Sequence, residues 1–202
     1  MNKWEKNLLN RSKLWKGQFI PVHAISSFIY CKKDPERFLQ NLKKEATLGM
    51  LNGTKNHEEI EKECVRIRVR QMIKAIITKN HPVSFREFPL ISKYNGYLVA
   101  GVLDEIMFTA SKPILLKDDK FPTSLRNFES LPYPSQEAQL LLYGFLLERT
   151  GFNIEDLIIL LVKHYDNQKR EFEVAYNKEK VEDILTSCET VQKLYYSVLP
   201  NY

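Results

Sequence analysis

Residues 98–121, LVAGVLDEIMF, then TASKP, then ILLKDDKF, constrain the fold more than any other stretch of the chain. Both ends are rich in branched and aromatic apolar residues, and Ser, Lys and Pro between them suit a turn. The pattern predicts a β-hairpin. The runs LVAGVL and ILL are continuous rather than alternating, as in strands buried on both faces. A sheet covered on both sides needs helices, so the chain is expected to be an α/β protein with a central mixed sheet flanked by helices.

That hairpin carries acids where acids are costly. Asp104 falls in its first strand, and Asp118, Asp119 and Lys120 close its second. Side chains alternate along a strand, so Asp118 and Lys120 share a face and Asp119 points away. A buried carboxylate is expensive unless paired or metal-bound. Two carboxylates and an ammonium on neighbouring strands suit a hard divalent cation. Asp104 and Asp118 would supply oxygens, the Asp119 backbone carbonyl a further one, and Mg²⁺ or Mn²⁺ would keep several waters. Lys120 would then face a water or a phosphate beside the ion. The competing reading is a charged strand end in solvent.

At 202 residues, the chain is expected to be a single domain with a basic, mainly helical part over 1–80 and an α/β core over 81–202. Residues 1–80 hold 17 Lys/Arg against 8 Asp/Glu, whereas the remainder holds 13 against 17. A basic half joined to an acidic half suggests a polyanion-binding surface beside a cation-binding centre. Solvated helix faces explain the same charges equally well. No apolar run approaches a membrane span, and MNKWEKNLLNRSKLWK lacks the apolar core of a secretory leader. A cytoplasmic protein without a membrane partner is the expectation. Cys31, Cys64 and Cys188 show neither CxxC nor zinc spacing, and each reads as a small buried hydrophobe.

Along the chain, residues 1–16 read as a short amphipathic helix and AISSFIYC as a helix ending near Cys31. Asp34-Pro35 resembles an N-cap followed by proline at the first helical position. KNHEEIEKECVRIRVRQMIKAIITKN reads as one long helix to about Lys79, with Arg66, Arg68 and Arg70 on its later turns. His57 at its start reaches a metal or a phosphate, or is merely exposed. VSFREFPLI is a strand, and Asn95-Gly96 a hairpin turn. Glu87 on that strand is either a further acid near Asp104 or a surface residue. Pro122 to Pro134 reads as an irregular loop, and Ser135 as the cap of QEAQLLLYGFLLERTG. Gln136, Gln139 and Tyr143 lie on one face of that helix. DLIILLVKHYD pairs with REFEVAY across Asp166-Asn167-Gln168, and residues 178–198 form one last amphipathic helix.

Five pieces in this order resemble the PD-(D/E)XK nuclease superfamily, and within it RecB-like exonucleases of CRISPR loci and archaeal viruses. They are ISSFIYC (25–31), GTKNH (53–57), GVLDEI (101–106), KDDK (117–120) and QLLLY (139–143). The resemblance covers nearly the whole chain. It implies a restriction-endonuclease-like core and a Mg²⁺- or Mn²⁺-dependent deoxyribonuclease, an exonuclease on single-stranded DNA ends. It implies metal ligation by His57, Asp104, Asp118 and Asp119, and catalytic roles for Asp104, Asp118, Lys120, Gln139 and Tyr143. DNA contacts would come from Lys32 and Lys33, which stand where relatives often have Pro-Arg, and from Arg66 and Arg70 in the basic half. Many relatives bind an iron–sulfur cluster through one Cys after the first helix and three near the C-terminus. Here Cys31 fills the first position and the chain ends at SVLPNY, so no cluster is expected. Two alternatives stay open: a structure-specific endonuclease of the junction-resolvase kind, working as a homo-oligomer, and a non-catalytic nucleic-acid-binding module on the same fold.

Overall fold

The computed structural model describes residues 19–44 and 64–198. Within them, six strands form one mixed sheet. They are β1 (Ile20–Pro21), β2 (Val83–Tyr94), β3 (Tyr97–Thr109), β4 (Lys112–Lys120), β5 (Ile158–Tyr165) and β6 (Gln168–Glu173). The helices are α1 (Val22–Tyr30), α2 (Pro35–Leu42), α3 (Val69–Thr78), α4 (Leu125–Glu129), α5 (Pro134–Thr150), α6 (Lys178–Leu185) and α7 (Cys188–Val198). The α/β class with a mixed, helix-flanked sheet is as expected. No helix among the described residues is long and apolar enough to cross a membrane.

Three tight turns build the antiparallel pairs. Asn95 and Gly96 both have positive φ, 45° and 88°, the geometry whose twist matches that of the flanking strands. Ala110–Ser111 and Asp166–Asn167 adopt the same hand, joining β3 to β4 and β5 to β6. β4 and β5 run parallel, with α4 and α5 making the crossover.

β3 organises the sheet. β2 pairs with it on one edge from Val83 to Tyr94, with a lapse at Glu87. The other edge is divided. β4 takes the end from Glu105 to Thr109, and β1 runs parallel to Val99 and Ala100. Between these two partners, no strand among the described residues lies beside 101–104 on that edge. The β3–β4 ladder stops at Glu105–Lys117, while β4 goes on pairing with β5 as far as Lys120–Lys163. The two acidic strands therefore part like a fork, with Asp104 and Asp118 at its mouth.

α5 lies in the core. Leu140 through Leu147 are all buried, and the helix packs on α1, α6, β2, β3 and β5. A helix that is apolar on most sides has to be enclosed. Its end is set by Gly151 at φ 106°, whose N–H reaches back to Leu147 and Glu148 carbonyls. α2 begins as expected, with the Asp34 carboxylate accepting from the N–H of Glu36 and Arg37 at 2.9 and 3.2 Å.

Several expectations need correction. The long helix up to Lys79 begins, within the described residues, only at Val69. VRIRVR has a period of two, and residues 65–68 form neither helix nor strand, leaving Val65 86% exposed. Ser135 does not cap α5. Pro134 occupies the first helical position and Tyr133 is extended, as residues before proline are; Gln136 Oε1 then accepts from the Tyr133 N–H at 3.0 Å. The loop over 122–134 contains α4, capped by Ser124. The last helix is two, because Thr186 and Ser187 interrupt it; the Thr186 hydroxyl donates to Asp183 O at 2.6 Å, a bond that competes with helix continuation. β1 was not anticipated. Cys31 and Cys188 are buried, but Cys64 is exposed. The helix read over 1–16 and the GTKNH segment lie outside the described residues.

Candidate active site

The fork brings together residues far apart in sequence. Asp118, Lys120 and the face of α5 carrying Gln139 and Tyr143 meet on one side of the sheet. Lys120 Nζ lies 2.6 Å from Asp118 Oδ2. It also donates to Gln139 Oε1 at 3.4 Å. Gln139 Nε2 faces Asp118 Oδ1 at 3.3 Å and the Tyr143 hydroxyl at 3.1 Å. Asp104 enters from β3 and accepts the Asp119 backbone N–H through Oδ2 at 2.8 Å. Of the candidates, Asp104, Asp118, Asp119, Lys120, Gln139 and Tyr143 thus share one site.

Tyr143 can reach the sheet because position 101 is glycine. A Cβ there would stand 2.5 Å from Tyr143 Cε1 and 2.9 Å from Val22 Cγ2, closer than real Cβ atoms come. Gly101 therefore admits both the phenol ring and the start of α1 against the unpaired edge of β3.

The electrostatics follow from burial. Asp118 is 1% exposed, and burial pushes its pKa up from 3.8 to about 6, with Lys120 opposing and Asp104 reinforcing the rise. Burial likewise raises Asp104. Burial alone would lower Lys120, but Asp118 and Asp104 outweigh it and raise its pKa, so the amine stays charged. Burial also raises Tyr143, keeping the phenol protonated. Asp118 Oδ2 is wholly buried, with the Lys120 ammonium against it at 2.6 Å. A carboxylate buried this deeply needs positive charge beside it, which Lys120 supplies and a cation in the fork would add to.

The donor set suits a hard cation with a partly aqueous shell: two carboxylates and a backbone carbonyl, all oxygen. Among the described residues there is no cluster of three or more His, Cys, Asp or Glu side chains arranged for a metal. Mg²⁺ or Mn²⁺ needs fewer protein ligands than a zinc centre does. His57, the remaining candidate ligand, lies outside the described residues.

Glu87 sits opposite Asp104 at φ 50°, where pairing lapses between Arg86–Glu105 and Phe88–Leu103. It is exposed, and its charge contributes to the raised pKa of Asp104. The candidate DNA-contact residues are exposed. Lys33 pairs with Asp183 of α6 at 3.2 Å, while Lys32, like Lys33, has positive φ. Arg66 and Arg70 face solvent.

Three residues around the fork escaped the sequence reading. Arg86 and His164 gather with Lys117 round the Asp119 carboxylate on the opposite face of the sheet, and Glu105 pairs with Arg86 and Lys117. Only the alternation that turns Asp119 away from Asp118 hinted that this face needed partners.

The fold is shared with solved exonucleases. One is an alkaline exonuclease, LHK-Exo, from Laribacter hongkongensis, with a TM-score of 0.51, 14% identity and 89% of each chain covered. Its complex with dAMP gives a TM-score of 0.52 over the same shares. The structure of SSO0001 aligns with a TM-score of 0.52 and 16% identity, covering 98% of this chain and 94% of that one. At such identities the likeness is one of fold. No family model and no curated protein matches the chain.

Proposed function

We propose that the chain is a metal-dependent DNA nuclease of the PD-(D/E)XK type, one domain whose core resembles that of RecB-like exonucleases, acting on single-stranded ends. The observation that carries this reading is the meeting of Asp104, Asp118 and Lys120 at a strand fork, with the Asp118 carboxylate wholly buried beside the Lys120 ammonium. The solved exonucleases of the same fold support it, and LHK-Exo was captured with a deoxynucleotide.

Asp104, Asp118 and the Asp119 carbonyl would hold Mg²⁺ or Mn²⁺, joined by His57. Such an ion, when bound, activates water and offsets charge on the scissile phosphate. Lys120 carries a positive charge into the site and donates to the attacking water or to the phosphate oxygen as negative charge develops. Gln139 accepts from Lys120 and donates towards Asp118, so it holds acid and amine in register. Tyr143 fixes Gln139 from behind. Lys32, Lys33, Arg66 and Arg70 would contact phosphates, which makes binding salt-dependent and indifferent to sequence.

Cleavage of end-labelled single- and double-stranded DNA with Mn²⁺ tests the reading, with closed circles as the substrate an exonuclease leaves intact. Asp118→Ala and Lys120→Ala are expected to lose activity by at least about 100-fold. Wild-type rates in either variant would refute the assignment.

A further inference from the structure

We infer that Arg86 and His164 are positioning residues that hold the Asp119 segment of β4 against Asp104 from the opposite face of the sheet. The inference rests on the metal-site reading and deepens it. A fork mouth poses a mechanical problem. Strands that part leave room for an ion between their carboxylates, but they give up the ladder that would fix their separation. Here the last β3–β4 pair is Glu105–Lys117, one residue short of Asp104 and Asp118.

Side chains take over where the ladder ends. The Asp119 carboxylate is 2% exposed. Arg86 Nη2 of β2 donates to its Oδ2 at 2.8 Å. His164 Nε2 of β5 meets its Oδ1 at 2.8 Å, and the imidazole is braced by Phe121, stacked at 5.0 Å. Arg86 Nη1 also donates to Glu105 Oε2 at 3.0 Å. Glu105 in turn accepts from the Ser84 hydroxyl at 2.7 Å and pairs with Lys117. The network ties β2, β3, β4 and β5 together at the level of the fork.

Its effect crosses the sheet through one backbone. The residue whose carboxylate Arg86 and His164 grip is the residue whose N–H binds Asp104 at 2.8 Å. Its carbonyl is also the third oxygen proposed for the ion. Arg86 is suited to the task because its planar fork donates to Asp119 at 2.8 Å and Glu105 at 3.0 Å at once, whereas Lys117, which also lies beside both carboxylates, stands 3.8 Å from Asp119. Loss of either grip leaves Asp118 and Lys120 in place and frees the position of Asp104 relative to them.

The experiment titrates Mn²⁺ calorimetrically into the full chain as wild type, Arg86→Met, Arg86→Lys, His164→Leu and Asp118→Asn, with folding checked by circular dichroism. Asp118→Asn is expected to abolish binding. Folded Arg86→Met and His164→Leu are expected to bind about 10- to 100-fold more weakly than wild type, the usual effect of losing a partner that orients a ligand. Arg86→Lys should fall between. A folded Arg86→Met or His164→Leu that binds as tightly as wild type overturns the positioning role and leaves the Asp118 site standing. If Met at position 86 prevents folding, His164→Leu decides. A wild-type chain that takes up no Mn²⁺ overturns the site and the positioning role together.

Discussion

Replacing Asp118 by Asn should stabilise the metal-free protein while destroying its activity. The carboxyl is fully buried, and burial moves its pKa from 3.8 to about 6 even with Lys120 at 2.6 Å. A rise of that size means that the ionised form costs about 3 kcal/mol in the folded state relative to the unfolded one. The sign follows from proton binding. Between pH 3.8 and about 6 the folded chain binds the proton more tightly than the unfolded chain, so stability falls as pH rises through that window. Below the window Asp118 is neutral in both states and the contribution vanishes. Asn resembles the neutral acid in shape and does not titrate. Asp118→Asn should therefore match wild type at low pH and exceed it at pH 8 by about 3 kcal/mol, roughly 6–12 °C in Tm for a chain of this size. Adding Mn²⁺ at 100 times its Kd should return about 2.7 kcal/mol to wild type and nothing to the variant. Thermal unfolding at pH 4 and pH 8, with and without Mn²⁺, reads all four corners. A variant less stable than wild type at pH 8 without metal would show that the carboxylate is net stabilised where it sits, and the argument from burial would fail.

Two further substitutions test how the site is built. Gly101→Ala puts a Cβ 2.5 Å from Tyr143 Cε1; expelling the ring should cost about 1–3 kcal/mol by thermal unfolding and lower kcat by up to about 100-fold, and an unchanged Tm would show that the ring has room. Lys163 is 1% exposed and donates to Asn127 O, Ser130 O and Ser130 Oγ at 2.7–2.9 Å, holding the α4 segment beside the end of β4. Lys163→Met should cost about 1–3 kcal/mol for the stranded carbonyls and speed proteolysis near Leu131, and an unaltered digestion pattern would refute this anchoring role.

Much of the molecule is legible in local pattern. The apolar runs foretold strands, though Leu98, Val102, Ile114 and Leu115 stay only half-buried rather than covered on both faces; Asn95-Gly96 foretold a tight turn, and Asp34-Pro35 foretold a helix start, because each is set by backbone sterics within a few residues. Alternation alone put Asp118 and Lys120 on one face and Asp119 on the other, and helical spacing aligned Gln139 with Tyr143. Where local signals competed, the reading failed: Pro134 displaced Ser135 as the start of α5, and Thr186-Ser187 split the last helix. What no window of sequence contains is the fork. It exists because β1 and β4 divide one edge of β3 and, among the described residues, leave 101–104 without a strand partner there. The partners of Asp119 lie 33 and 45 residues away, in β2 and β5, and only strand order makes them neighbours. Gly101 likewise looks like any strand glycine until α5 lays Tyr143 across it. Local sequence determined which chemical groups were present and which way each faced. Tertiary structure alone decided how far apart they stand, because spacing between strands depends on which distant segments pair and where that pairing stops.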